Sequence, residues 1–298
     1  MKPAVSRLVD VRGMRHHVMT WGDPAAPTIL MLHGWMDVGA SFQFLVDALR
    51  GQWHVVAPDL RGYGRSEWQP QGYWFWDYVA DLDALLELLT PDEPARLVGH
   101  SLGGNIVMHY AGVRPERVHA VVSLEGFGIP FDAPDVAPRK TRKWLDALRD
   151  PPSFRPYGTF ADVADRLQKT NSRLTRDKAE FLARHWAVET PQGRVALASD
   201  PRHKLPFPTV YRMEEVYSVW ESITAPVSWI AAAQSEIPRW LEGNRADAVG
   251  VDGLDGVRRR MTHVPGATLT IVDDAGHMLH HDQPQAVARA IEPFLSAQ

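Results

Sequence analysis

The chain has 298 residues, of which 45% are apolar and 23% charged, with a formal net charge of −4 and no cysteine. That is the composition of an ordinary soluble globular protein, long enough for one large α/β domain with an insertion. The negative balance argues against nucleic acid or an anionic membrane as a general partner, and the missing cysteines exclude disulfides, thiolate nucleophiles and Cys-ligated zinc. The opening MKPAVSRLVD has no apolar signal-like core, and no run approaches the roughly 18 apolar residues of a membrane span. The expected compartment is therefore the cytoplasm, with no membrane insertion. Arg258, Arg259 and Arg260 form the one tight basic run and read as a solvated helix face.

In chain order, residues 7–11 and 15–21 read as an opening pair of strands joined at Gly13. The apolar run TILML at 28–32, bounded by Pro27 and Gly34, reads as a strand buried on both faces. Ser41 is placed to cap a helix whose Phe42, Leu45, Val46 and Leu49 recur at helical spacing. A strand at 53–57 precedes a helix striped by Val79, Leu82, Leu86 and Leu89. Strand 95–99, helix 102–112 and strand 118–124 follow. From about Phe131 to Ser222 the pattern turns helical, rich in Arg, Trp and Pro, with no clear strand. Strand signals return at 227–233 and 267–272, and a helix at 285–295 ends the chain. Alternating strands and helices imply a mainly parallel α/β sheet flanked by helices. Residues 1–130 and 223–298 are expected to form this core, and 131–222 a helical cap inserted after the sixth strand.

The segment RLVGHSLGG places Ser101 between a strand and a helix inside G-x-S-x-G. A strand that turns sharply into a helix strains the central residue and presents its hydroxyl at the positive helix end. Ser101 is the expected nucleophile. Charge developing on a substrate carbonyl needs preorganised donors. The backbone N–H of Leu102 and that of Trp35, in the loop HGWMD after strand 28–32, are the expected oxyanion hole. His277, in DDAGH after the last strand, is the expected base. His280 and His281 could form a metal-like cluster with it, but no suitably spaced carboxylate accompanies them, so no metal is expected. His16 and His17 alternate across a strand and cannot ligate jointly. His100 and His109 read as structural.

LMLHGWMDVGASF, PDLRGYGRSEW, LVGHSLGG and DDAGHMLHHDQPQAV, in that order, resemble the recurring segments of the α/β-hydrolase superfamily. QKTNSRLTRDKAEFLARHWA, together with HGWMDVGASF, is also similar to the group named serine hydrolase-like proteins. The resemblance implies a catalytic triad whose acid follows strand 227–233. Here IAAAQSEIP offers Ser235 at that place and Glu236 beside it. Serine cannot carry the charge. Glu125 ends the apolar run VVSLEGFG, and certain members of the superfamily draw their acid from that strand end. A carboxylate closing a buried strand costs several kcal/mol unless it is paired. Glu125 is the expected acid and Glu236 the alternative. Asp37, Asp59 and Arg61 match loop positions of the superfamily and read as structural.

The expected function is hydrolysis of small to medium, largely apolar carboxylic esters through an acyl-enzyme, with no cofactor. Thioesterase, lactonase, C–C bond hydrolase and perhydrolase chemistry would use the same triad. A non-catalytic sensor on the same scaffold is the remaining reading. Serine at 101 argues against epoxide and haloalkane hydrolysis, which need an aspartate there. Tyr73, Trp74, Phe75 and Trp76, with Trp144, Trp186 and Trp220, are expected to supply cap core and, in part, an apolar pocket over Ser101.

Overall fold

The computed structural model describes residues 1–243 and 253–296. The chain opens with β1 (Ala4–Val11) and β2 (Met14–Trp21), an antiparallel hairpin in which Val11 pairs with Met14. Its two turn residues, Arg12 and Gly13, both have positive φ, 50° and 75°. A two-residue hairpin turn needs this to match the strand twist. Then come β3 (Thr28–Leu32), α1 (Gln43–Ala48), β4 (His54–Pro58), α2 (Phe75–Leu89), β5 (Ala95–His100), α3 (Leu102–Val113) and β6 (Val118–Leu124). Between β6 and the next sheet strand lie α4 (Ala137–Arg149), α5 (Phe160–Thr170), α6 (Arg176–Trp186), β7 (Ala187–Glu189), β8 (Val195–Leu197) and α7 (Met213–Glu221). The chain returns through β9 (Val227–Ala232), α8 (Ile237–Leu241), α9 (Asp255–Met261), β10 (Thr268–Val272), α10 (Leu279–Asp282) and α11 (Pro284–Ser296).

The main sheet has eight strands in the order β1-β2-β4-β3-β5-β6-β9-β10. It is parallel from β4 to β10, with β1 and β2 antiparallel at one edge. Helices cover both faces. One apolar layer joins α2, α3 and α7 to the sheet through Leu82, Val107 and Trp220. The other joins α1 and α11 through Leu45 and Ile291. Strands covered on both sides are predominantly apolar, and β9, apolar but for Ser228, is buried along its whole length. The segment between β6 and β9 has its own apolar cluster, with Val163, Leu182 and Val195 packing against Phe44 of α1.

Three expectations need correction. The segment between β6 and β9 contains a short antiparallel hairpin, β7 with β8, where no strand was expected. Each strand is only three residues long, too short to carry a visible alternation. Ser41 does not cap a helix. It lies in a single 3₁₀ turn, Gly39–Phe42, and α1 begins after it with no side-chain cap. The Ser41 hydroxyl donates instead to Asp37 Oδ2 at 2.8 Å, because that buried carboxylate needs donors. Arg260 is not solvated. It is 5% exposed and its Nη1 donates to the carbonyls of Phe127 and Ile129, at 2.9 and 3.0 Å.

Among the described residues, no helix is long and apolar enough to cross a membrane.

Candidate active site

Ser101 sits in the turn from β5 into α3 with φ 52° and ψ −111°. This conformation costs a non-glycine residue on the order of 1–3 kcal/mol, so the surroundings must hold it. The Ser101 N–H donates to Leu124 O at 2.8 Å, and the Ser101 carbonyl accepts from Asn105 N–H at 3.0 Å. The turn fits only because position 103 is glycine, since a Cβ there would lie 2.0 Å from Leu32 O. The loop after β3 approaches from the other side. A Cβ on Gly34 would stand 3.3 Å from Ser101 Cβ. His33 holds that loop: Leu60 N–H donates to its Nε2 at 2.9 Å, so Nδ1–H donates to Gly34 O at 2.8 Å. Burial holds the His33 imidazole neutral, with its pKa lowered to about 4. Trp35 and Leu102 line the same cavity as Ser101.

Glu125 follows β6 with φ 59° and is 2% exposed. Its N–H donates to Ile230 O at 3.0 Å, which fixes the turn. Its carboxylate receives three donors. Ala232 N–H reaches Oε1 at 2.7 Å, and the Ser235 hydroxyl makes a short hydrogen bond to Oε2. His277 Nδ1 lies 3.3 Å from Oε2. Ser235, at the position where the resemblance expects an acid, thus hydrogen-bonds the carboxylate of Glu125. Glu236 lines the cavity but is exposed, and Nδ1 of His277 faces Glu125.

His277 is carried by the loop between β10 and α10. His100 Nε2–H donates to the His277 carbonyl at 2.8 Å, and Gly276 N–H donates to Asp282 Oδ2 at 2.9 Å. Asn171, at the end of α5, donates to Asp282 Oδ1 at 2.7 Å. The segment outside the sheet therefore ties down the loop that carries His277.

Ser101, Glu125 and His277 all line one cavity of about 860 Å³. Its aromatic wall includes Trp35, Tyr73, Phe75, Phe207 and Trp240. The tryptophans 144, 186 and 220 are not part of it. Trp220 packs in the sheet core beside Trp229, and Trp186 Nε1 donates to Asp37 Oδ1 at 2.9 Å. Sequence reading missed His203, whose ring stacks on Tyr63 and on Tyr73, each with centroids 3.7 Å apart. Its carbonyl accepts from Trp35 Nε1 at 3.1 Å. No local pattern around His203 signalled this. Arg260 was missed for a different reason: it holds the Phe127–Ile129 exit from Glu125, yet reads as part of a charged run.

His16 and His17 face different carboxylates, Asp81 at 3.3 Å and Asp59 at 2.7 Å. Asp59 also accepts from the N–H groups of Gly39 and Arg65, and Arg61 pairs with Asp81 through two contacts of 2.5 and 2.6 Å. A carboxylate does accompany His280 and His281, contrary to expectation. It is Asp37, remote in sequence. The three buried residues have donor atoms within 4.8 Å of one another and form the group able to hold a metal ion among the described residues. Ser41 Oγ lies between them, 2.6 Å from His281 Nε2 and 2.8 Å from Asp37 Oδ2, so hydrogen bonds join the group as it stands.

The profile of the alpha/beta hydrolase fold matches residues 27–284. The sequence is 28% identical over 289 residues to the serine hydrolase-like protein of Danio rerio, covering 93% of this chain and 84% of that one. It is 34% identical over 291 residues to Lipase LipV of Mycobacterium tuberculosis, covering 94% of this chain and 97% of the lipase. The solved thioesterase domain from the curacin biosynthetic pathway superposes with a TM-score of 0.81 at 25% identity, covering 97% of this chain and 99% of that domain. With a strained serine between β5 and α3 and a carboxylate–imidazole pair at the same sheet edge, these matches have one conclusion: the chain belongs to the α/β-hydrolase fold family, a family of hydrolytic enzymes.

Proposed function

We propose that the protein hydrolyses small to medium, largely apolar carboxylic esters through an acyl-enzyme. Ser101 Oγ attacks the carbonyl carbon while His277 takes the hydroxyl proton, and Glu125 holds the imidazole through Nδ1. The N–H groups of Trp35 and Leu102 receive the developing oxyanion. His277 then protonates the departing alkoxide. Water, deprotonated in turn by His277, releases the acid and restores Ser101. Residues 131–222 act as a cap that closes the apolar cavity over the reacting bond and excludes bulk water.

The observation that carries this reading is the meeting of Ser101 and the Glu125–His277 pair on one largely apolar cavity. A thioester substrate is the second reading, favoured by the likeness to the curacin thioesterase domain. The test is a fluorophosphonate probe, followed by matched oxygen esters and thioesters. Wild type is expected to label and turn over, and Ser101→Ala to do neither. A wild type that neither labels nor turns over overturns the hydrolase reading, and a preference for thioesters installs the second.

A further inference from the structure

Among the described residues, α4 is the α-helix with no buried residue. Its sequence, APRKTRKWLDALR, nevertheless sets Thr141, Trp144, Leu145 and Leu148 at i, i+3, i+4 and i+7, a regular apolar stripe. In a globular protein such a stripe faces the core. Here it does not. The less exposed positions are Ala137, Lys140, Trp144 and Ala147, rotated to one side of the stripe. Leu145 and Leu148 are left 46% and 44% exposed.

The stripe continues the rim of the cavity. On one flank Trp144 leans on Trp74, with centroids 6.4 Å apart, and the neighbours of Trp74 in sequence, Tyr73 and Phe75, line the cavity. On the other flank Thr141 Oγ1 donates to Pro208 O at 3.2 Å, next to Phe207, which is itself exposed and lines the cavity. On its polar side α4 carries five Lys and Arg and one Asp, in a chain whose net charge is −4; Lys140 pairs with Asp132 and Arg149 with Asp146, and Arg139, Arg142 and Lys143 stand outside those two pairs. Arg139, Arg142, Lys143 and Arg149 are all exposed.

We propose that α4 seats the protein on an anionic lipid surface, with the cavity mouth turned toward the lipid. Exposed aliphatic and indole groups on one face with cations around them match the boundary between acyl chains and phosphate headgroups. The overall negative charge does not oppose this, because fields are screened within about 10 Å and the local charge of α4 governs the contact. A second copy is a poorer occupant. Two-fold pairing through this face would set two cationic clusters against each other. An apolar ester dissolved in the lipid would reach the cavity without crossing bulk water.

The test is co-sedimentation of the full chain with vesicles of phosphatidylcholine alone and of phosphatidylcholine mixed with phosphatidylglycerol. Binding is expected on the mixed vesicles, with a blue shift of tryptophan emission and release by salt. Leu145→Asp/Leu148→Asp and Arg142→Glu/Lys143→Glu are each expected to lower the bound fraction about tenfold or more. All four side chains are exposed, so both variants keep wild-type turnover of a water-soluble ester, which verifies their fold. Ser101→Ala binds vesicles as wild type does, which separates docking from catalysis. The proposal is overturned if neutral and anionic vesicles bind alike, if neither binds, or if both double variants bind undiminished. A dimer abolished by the variants without vesicle binding overturns it too.

Discussion

Asp37 carries a buried carboxylate whose polar contacts are Ser41, Val38 N–H and Trp186. Burial pushes its pKa up to about 7, from 3.8 for an ordinary aspartate. Between those values the folded state keeps a proton that the unfolded state has lost, so stability falls as pH rises through that window and the loss is complete above it. Asp37→Asn removes the titration. Its melting temperature relative to wild type should become steadily more favourable from about pH 4 to about pH 7, and a constant difference across that range contradicts the account. Ser235 acts on a second buried carboxylate, that of Glu125. Ser235→Ala deletes the donor to Glu125 Oε2 and is expected to lower kcat about tenfold with KM unchanged, read from steady-state kinetics on a soluble ester. Glu125 was legible from sequence because a lone charge ends an apolar strand, a costly placement that asks for a partner. The grouping of Asp37 with His280 and His281 was not legible, because nothing local marks residues that meet only after the sheet is assembled.

Elements decide where those residues point. The turn from β5 into α3 was readable because a serine flanked by glycines is a local steric requirement. The exit from β6 was not, because it depends on Arg260 of α9, a residue that sequence alone assigns to solvent. Its guanidinium satisfies the carbonyls of Phe127 and Ile129 and so fixes the segment that leaves Glu125 and lines the cavity. Arg260→Met leaves both carbonyls without their donor and is expected to destabilise the protein by about 3 kcal/mol, from the usual cost of buried unpaired polar groups. A denaturant midpoint unchanged from wild type contradicts that role. The loop of His277 shows the same dependence on distant elements: Asn171, just after α5, and Asp282 of α10 meet to hold it, and their sequence separation hid the contact.

At the scale of the whole molecule, the alternation of strands and helices announced the parallel sheet, and the change of pattern after β6 announced the helical segment outside it. Of the aromatic wall of the cavity, Tyr73 and Phe75 were announced; Trp35, Phe207 and Trp240 were not, because they come from loops and from the single short helix α8, with no periodicity to read. A cavity of about 860 Å³ with such a wall should favour longer acyl groups. Specificity on a homologous series of aryl esters is expected to rise about three- to fourfold per methylene until the cavity is full, and a flat series contradicts an apolar acyl site. The central claim is that Glu125, rather than Glu236, orients His277, and steady-state kcat of the two glutamine variants on one soluble ester tests it most directly. Glu125→Gln is expected to lose up to about 10⁴ in kcat while Glu236→Gln stays close to wild type. A collapse in Glu236→Gln with Glu125→Gln still active would contradict it.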